Sequence, residues 1–388
     1  MFKIRTMNKI SPLGLERFSR DKYEVASEIP NPDAIVVRSA DLNSMEIPQS
    51  VLAIARAGAG YNNIPVQACS HRGIAVFNTP GGNANAVKEL AIAAMLLSSR
   101  NILGGIAWCK TIASKADEVP DIVEKEKSRF EGPELKDKVL GVIGLGAIGV
   151  LVAADAVALG MKVIGYDPFL SVETAWGLSR SVARAETLEQ LLAKSDYITL
   201  HLPLSADTKG LFSTEKLKFL KKGARIINLA RGGLVNEADI IAGLNSDRIA
   251  CYVTDFPTAE LLANPKVICI PHLGASTPEA EDNCAVMAVQ QLIDYLETGA
   301  IMNSVNLPRC RLDRRSPYRL IAVNRNIPNM VGQITTILAG AKINILDLIN
   351  HHRDDYAYNI IDTEQQIPEE TLGQLRKVEG IIRVRTIE

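Results

Sequence analysis

The 388-residue sequence has no excess of either charge: 43 lysines and arginines face 44 aspartates and glutamates, a formal net charge of −1. That balance gives no basic footprint for nucleic acid, and an acidic small molecule would have to be held by individual arginines. The six cysteines, Cys69, Cys109, Cys251, Cys269, Cys284 and Cys310, are scattered without a C-x-x-C pair. Nothing resembling a signal peptide precedes them, so reduced thiols and a cytoplasmic location are expected. No grouping of His, Cys, Asp and Glu has metal-ligand spacing, and no metal is expected. The longest apolar run, about Val150–Tyr166, is broken by Asp155 and Lys162, which leaves no expected membrane span. The 47% apolar and 22% charged residues are those of a globular chain, and its length exceeds one core, so two or three domains are expected.

The most informative stretch begins at Val139. Val139–Ile143 is apolar throughout, as a buried parallel strand is. Gly144, Gly146 and Gly149 follow as G-x-G-x-x-G. The first glycine permits a tight turn, the second lets backbone approach a pyrophosphate, and the third lets helix pack on strand. Gly144, Gly146, Ala147, Ile148 and Gly149 thus form a phosphate cradle at a helix start, with the helix running from about Ile148 to Leu159. A second apolar strand, Lys162–Tyr166, ends at Asp167, eighteen residues past Gly149. An acid there hydrogen-bonds the ribose hydroxyls and repels a 2′-phosphate, so the expected cofactor is NAD rather than NADP.

Around this β-α-β unit the chain alternates strands and helices. Ala34–Arg38, Leu52–Arg56 and Ile74–Phe77 are strand-like, each followed by a polar or glycine-rich turn, and helical spacing runs from Ala84 to about Ser99. The charged segment Asp117–Arg129 leads into the nucleotide unit. Beyond Asp167 come strands Tyr197–Leu200, Arg225–Asn228, Ala250–Thr254 and Val267–Ile270, as in a doubly wound sheet. A third region from Tyr318 reads as β-α-β-β-α-β, and Leu307–Pro317, with Pro308, Pro317 and four arginines, reads as its linker.

Polar islands at strand ends carry the candidate chemistry. Arg231, in Asn228-Leu-Ala-Arg-Gly-Gly233, can grip a carboxylate bidentately. His272, in Pro271-His-Leu-Gly-Ala-Ser-Thr277, offers an imidazole that exchanges a proton near pH 7, and Glu260 could hold it upright. A lone histidine is more often structural; the company of Arg231 and the nucleotide unit reverses that preference. Arg38-Ser39 and Arg56-Ala-Gly-Ala-Gly60 follow neighbouring strands, so two guanidiniums and a nest of N–H groups at Ala59 and Gly60 could converge on an anion; surface arginines beside ordinary turns are the alternative.

The order Arg56-Ala-Gly-Ala-Gly-Tyr-Asn-Asn63, Gly144-Leu-Gly-Ala-Ile-Gly149, His201-Leu-Pro203, Asn228-Leu-Ala-Arg-Gly-Gly233 and Pro271-His-Leu-Gly-Ala-Ser-Thr277 resembles the D-isomer-specific 2-hydroxyacid dehydrogenases, and the C-terminal module resembles an ACT regulatory domain. The resemblance implies an α/β fold in which a Rossmann NAD-binding domain, 101–278, is inserted into a flavodoxin-like substrate domain, 1–100 and 279–307, followed by an ACT domain, 318–388. It implies that His272 takes the C2 hydroxyl proton, Glu260 supports it and Arg231 binds the carboxylate. Ala59 and Gly60 would add donors to that carboxylate, and Arg38, Ser39 and Arg56 would hold a phosphate. His201, Pro203, Thr208, Ala230, Asp255 and Gly274 would lie against the cofactor, with Asp255 on the nicotinamide carboxamide. Here Asp255-Phe-Pro-Thr-Ala-Glu260 places Ala259 where one alignment expects the acid, and a count of five from Asp255 recovers Glu260.

The implied reaction is NAD-dependent oxidation of D-3-phosphoglycerate to 3-phosphohydroxypyruvate. The alternatives are a dehydrogenase for an unphosphorylated acid of the glycerate or hydroxypyruvate type, and a non-catalytic NAD-sensing corepressor. For the third module the resemblance implies L-serine as effector, bound by amides at Asn326 and Asn344 with Asn324 where a histidine often stands, in a homodimer or homotetramer; a purely structural dimerisation module is the alternative. Asn329 replaces the glycine usual after Pro328, and asparagine tolerates a left-handed backbone.

Overall fold

Short apolar runs punctuated by glycine, asparagine and proline build three sheets. The computed structural model describes the backbone of residues 1–388 and the side chains of all but residues 172–174. The chain divides into two contact units, Met1–Asn83 with Pro278–Glu388, and Ala84–Thr277, so the second unit is inserted in the first.

In the first unit five parallel strands, β1 (Phe2–Met7), β2 (Tyr23–Ala26), β3 (Ala34–Val37), β4 (Ala53–Arg56) and β5 (Ala75–Phe77), pair in the order β2-β1-β3-β4-β5. This is the flavodoxin-like order. Covered on both faces, β3 and β5 are buried at every position. The strands β1 and β2 were not evident in the sequence, because Lys3, Arg5 and Glu24 interrupt their apolar residues. After the insertion, helix Pro278–Thr298 packs Cys284, Ala285, Ala288, Val289 and Leu292 into one core with Ile4, Val36, Ala53 and Ala55.

The third sheet belongs to this same unit. Its antiparallel strands β13 (Tyr318–Arg325), β14 (Ile345–Arg353), β15 (Tyr356–Thr363) and β16 (Ile381–Ile387) pair in the order β14-β15-β13-β16. One face is covered by helices Met330–Gly340 and Glu369–Lys377 through Ile334, Leu338, Leu372 and Leu375. The other face places Ile321, Val323, Tyr358 and Ile360 in the core that holds Tyr295, Leu296 and Leu307. Asn329 caps helix Met330–Gly340 in the left-handed conformation, φ 67°. The segment Leu307–Pro317 is not a loose tether. Leu307 and Cys310 are buried, Cys310 exchanges backbone hydrogen bonds of 2.8 and 2.9 Å with Ile301, and Arg314 Nε donates to the Ser316 carbonyl at 2.8 Å. Its prolines and arginines suggest solvent, but Arg314 lies down on backbone carbonyls.

The second unit is a seven-stranded parallel sheet of β6 (Val139–Ile143), β7 (Lys162–Tyr166), β8 (Val182–Arg184), β9 (Tyr197–Leu200), β10 (Ala224–Asn228), β11 (Ile249–Thr254) and β12 (Val267–Cys269), in the order β12-β11-β10-β9-β6-β7-β8. The order in which the chain adds strands reverses beside β6, the position where open α/β sheets bind ligands. Helix Ala84–Ser99 belongs here rather than with residues 1–83, because Ala91, Ala94 and Met95 pack with Leu140, Val142 and Val253.

Candidate active site

The nucleotide half is set by steric demands on three glycines. Gly144 has φ +88°, and a Cβ there would stand 2.5 Å from the His201 carbonyl oxygen. A Cβ on Gly149 would collide with the Gly144 carbonyl oxygen, so only glycine lets helix Ala147–Ala158 close on β6. Gly146 differs: a Cβ there meets nothing within 4 Å. Its bareness leaves open space at a helix N-terminus, where a pyrophosphate fits. Asp167, following β7, accepts from the Leu145 N–H through Oδ2 and from the Phe169 N–H through Oδ1, both at 2.9 Å. Each oxygen keeps a lone pair for a ribose hydroxyl.

The loop after β9 is braced by Thr208, whose hydroxyl donates to the Pro203 carbonyl at 2.6 Å and accepts from Ser205 N–H at 2.8 Å. His201 Nε2 lies 3.0 Å from Thr199 Oγ1, and burial pushes its pKa down to about 4, so the ring is neutral near pH 7.

Arg231 is positioned by a residue the sequence reading passed over. The buried Asn228 amide donates to the Arg231 carbonyl at 2.9 Å, while its oxygen accepts from the N–H groups of Ala230 (3.2 Å) and Arg231 (3.4 Å). The Arg231 side chain is exposed, with Nη1 donating to the Ala230 carbonyl at 2.6 Å. His272 is also exposed, and its ring stands edge-on to Phe256 with centroids 4.8 Å apart.

Asp255, immediately after β11, is 1% exposed, and neither carboxylate oxygen has a partner of full hydrogen-bond geometry among the described residues, the backbone N–H groups of Asp255 and Gly274 approaching it only loosely. Burial raises its pKa, opposed by the charges of His272 and Arg231. A buried orphan acceptor suits an amide N–H₂ such as the nicotinamide carboxamide. Together with the open cradle at Gly146, it makes the residues present fit NAD. Glu260 is exposed in the first turn of helix Ala259–Leu262. No hydrogen bond or ion pair joins it to His272 among the described residues; the acid whose field reaches both His272 and Arg231 is Asp255.

In the first unit, Arg38 follows β3 and Arg56 ends β4, the neighbouring strand. Asn8, at φ 69°, accepts from the N–H groups of Ser39 and Ala40. Asn63 donates to the Ala40 and Arg38 carbonyls at 2.7 and 3.3 Å, and Asn78 donates to the Ala59 carbonyl at 2.6 Å. Three asparagines therefore fix the turns that follow β3 and β4. Asparagine beside a strand end is the one local signal for this role. Among the described residues the N–H groups of Ala59 and Gly60 donate to nothing, so they are available to a carboxylate. Arg38 is not waiting alone: Nη2 donates to Glu281 Oε1 at 2.6 Å.

The three asparagines expected to bind an effector part company. Asn324 is 1% exposed; its oxygen accepts from Asn359 at 2.7 Å and its amide donates to the Arg325 carbonyl at 2.6 Å. It is a structural link across β13 and β15 with no surface to offer a ligand. Asn326 and Asn344 are exposed, the former donating to the Asp354 carbonyl at 3.1 Å.

Residues 92–274 match the family model of the D-isomer specific 2-hydroxyacid dehydrogenase NAD binding domain. D-3-phosphoglycerate dehydrogenase of Methanocaldococcus jannaschii is 34% identical over 340 residues, 84% of this chain and 61% of the relative. The enzyme of that name from Bacillus subtilis is 32% identical over 343 residues, 83% of this chain and 63% of the relative. The chain thus spans about three fifths of the length of the curated relatives it matches. Among solved structures, NAD⁺-bound 3-phosphoglycerate dehydrogenase of Entamoeba histolytica aligns with a TM-score of 0.62 at 29% identity, covering 79% of this chain and 98% of that one. A glyoxylate reductase from Paecilomyces aligns with a TM-score of 0.64 at 26% identity, covering 78% and 98%. With the glycine cradle, Asp167 and the Asn228-braced Arg231 in place, residues 92–274 of this chain are an NAD-binding domain of the D-isomer-specific 2-hydroxyacid dehydrogenase family.

Proposed function

We propose that this protein oxidises D-3-phosphoglycerate to 3-phosphohydroxypyruvate. The observation that carries the reading is the pair Arg38 and Arg56 at adjacent strand ends, in a chain whose NAD-binding unit is intact. Guanidinium forks suit a phosphate, and the neighbouring Ala59 and Gly60 N–H groups suit a carboxylate. By role, the substrate domain in this reading is 1–100 with 279–307, the nucleotide domain 101–278 and the regulatory domain 318–388, with helix Ala84–Ser99 of the first packed on the nucleotide sheet.

NAD, when bound, supplies the hydride acceptor. Arg231 binds the substrate carboxylate and C2 oxygen, and His272 takes the hydroxyl proton as the C2–H bond breaks with its electron pair leaving as hydride. Asp255 turns its orphan oxygens to an amide N–H₂ and holds negative charge near the imidazolium that forms. For the carboxylate that supports His272, the resemblance favours Glu260 and the electrostatics favour Asp255, which the charge of His272 helps to keep ionised. The variants Glu260→Gln and Asp255→Asn separate them, because only the true partner shifts the pH profile of kcat. His272→Ala should lower turnover on the order of 10²-fold or more while NADH still binds; retained turnover refutes the role. An unphosphorylated substrate is the second reading, favoured by the Arg38–Glu281 pair, which already neutralises one arginine.

We also propose that L-serine acts on the third module through Asn326 and Asn344, without Asn324, in a homodimer or homotetramer. Helix Ile102–Thr111, which buries none of its residues and exposes Leu103 and Ile106, supports association. Millimolar serine should slow the enzyme; no inhibition and no heat of binding would refute the effector. A cytoplasmic location is proposed on the six free cysteines. No single helix is long and apolar enough to cross a membrane.

A further inference from the structure

The third module carries a groove that takes no part in the chemistry above. Its volume is about 470 Å³, and Pro308, Arg309, Asn350, His351, His352 and Arg353 line it. Four of these belong to β14, the edge of its sheet, so alternate N–H groups of that strand face away from β15.

The side chains are held mainly by backbone carbonyls. His351 Nδ1 lies 2.8 Å from the Arg309 carbonyl oxygen. A carbonyl only accepts, so that nitrogen carries the hydrogen and Nε2 faces away from this contact. Arg353 Nη1 donates to the Ser304 carbonyl at 2.8 Å, which anchors one arm of its fork, while Nε stands 4.0 Å from the exposed Asp354 carboxylate. Among the described residues, the Arg309 guanidinium and the His352 ring have no hydrogen bond or ion pair. A single exposed arginine is ordinary. Two guanidiniums and two imidazoles around one cavity, with no acid in its lining, are not.

We propose that this groove binds a small molecule through a phosphate group. Guanidinium forks meet phosphate oxygens in pairs, and imidazole N–H groups add single donors. The groove is shallow and open to solvent, so a phosphate ester of a few carbons can be held by its phosphate end as readily as the bare ion. The occupant would bridge β14 to the segment at Pro308 and Arg309, stiffening the junction between the third sheet and helix Pro278–Thr298.

The chain has only five histidines, so imidazole NMR on the full protein reads the site directly, with His351→Gln and His352→Gln assigning the signals. Titration with inorganic phosphate should shift both signals saturably, and Arg309→Ala should raise the half-saturating concentration at least tenfold. Glycerol phosphate in a second titration identifies the source: tighter binding names an ester, weaker binding the free ion. Malonate at equal ionic strength should leave both signals in place. Non-saturating shifts, equal response to malonate, or an unchanged midpoint in both Arg309→Ala and an Arg353→Ala variant would overturn the proposal, as would silence of both signals because a second copy covers β14.

Discussion

Arg319 and Asp362 form a two-pronged ion pair, Nε to Oδ1 at 2.6 Å and Nη2 to Oδ2 at 2.9 Å, with neither side chain exposed. The remaining arm, Nη1, donates to the Thr298 carbonyl at 2.8 Å, and Asp362 Oδ2 also accepts from Arg315 N–H at 2.9 Å. The pair therefore joins β13 and β15 to the end of helix Pro278–Thr298. Tyr358, donating to the Gly299 carbonyl at 2.7 Å, and Arg383, donating to the Val51 carbonyl at 2.7 Å, reinforce the joint.

Removing one member strands a buried charge. Asp362→Asn or Arg319→Met alone should cost about 3–5 kcal/mol, and an apolar double replacement should recover much of it. The third sheet and the five-stranded sheet share a core, so both should melt in one transition in denaturant. A single variant costing under about 1 kcal/mol, or a third sheet that melts separately, would show that the pair does not anchor the module.

Gly146 and Gly149 should respond differently to alanine. Gly146→Ala meets no protein atom, so the melting temperature should hold while NADH affinity falls at least tenfold, as a methyl fills the phosphate's space. Gly149→Ala should lower both, since its methyl collides with the Gly144 carbonyl. Fluorescence titration of NADH beside calorimetry checks this; unchanged affinity in Gly146→Ala would remove the pyrophosphate from that helix end.

The depressed pKa of His201 makes a stability prediction. The folded ring titrates near 4, against 6.5 for an unperturbed ring. Between those values the unfolded chain binds the extra proton, so stability is lost as pH falls from about 6.5 towards 4. Allowing for its partial exposure, the loss is on the order of 2 kcal/mol. His201→Asn should flatten that part of the stability curve, measured by denaturant unfolding at stepped pH.

Asp255 has the opposite sign. Burial raises its folded pKa, so the ionised form is disfavoured in the native state and stability is regained as pH falls through that pKa. Asp255→Asn removes this gain and should make acid destabilisation steeper, while kcat falls with its amide-accepting and charge-pairing roles. An unaltered kcat would exclude Asp255 from the site.

The nucleotide unit was legible because its signal is local. Val139–Ile143, the three glycines and Asp167 lie within thirty residues and each is dictated by its own neighbourhood. Other features depend on distant partners. Asn8 holds a turn about thirty residues away, and the Arg38–Glu281 pair spans 243 positions. Asn324 looked like a ligand contact from its turn, yet Asn359, 35 positions on, engages it. Nor does periodicity show that Ile321 and Tyr358 face Tyr295 rather than solvent; the alternation of β13 and β15 marks two buried faces without naming what covers each.

The most direct test is NADH formation at 340 nm with NAD and either D-3-phosphoglycerate or D-glycerate, for the wild type and for Arg38→Ala. Robust turnover of the phosphorylated acid is expected, with Arg38→Ala raising its KM by roughly tenfold or more, the weight of one charge-assisted contact, and leaving glycerate kinetics nearly unchanged. Equal turnover of both acids by the wild type, or equal loss on both in Arg38→Ala, would contradict the phosphate-directed reading.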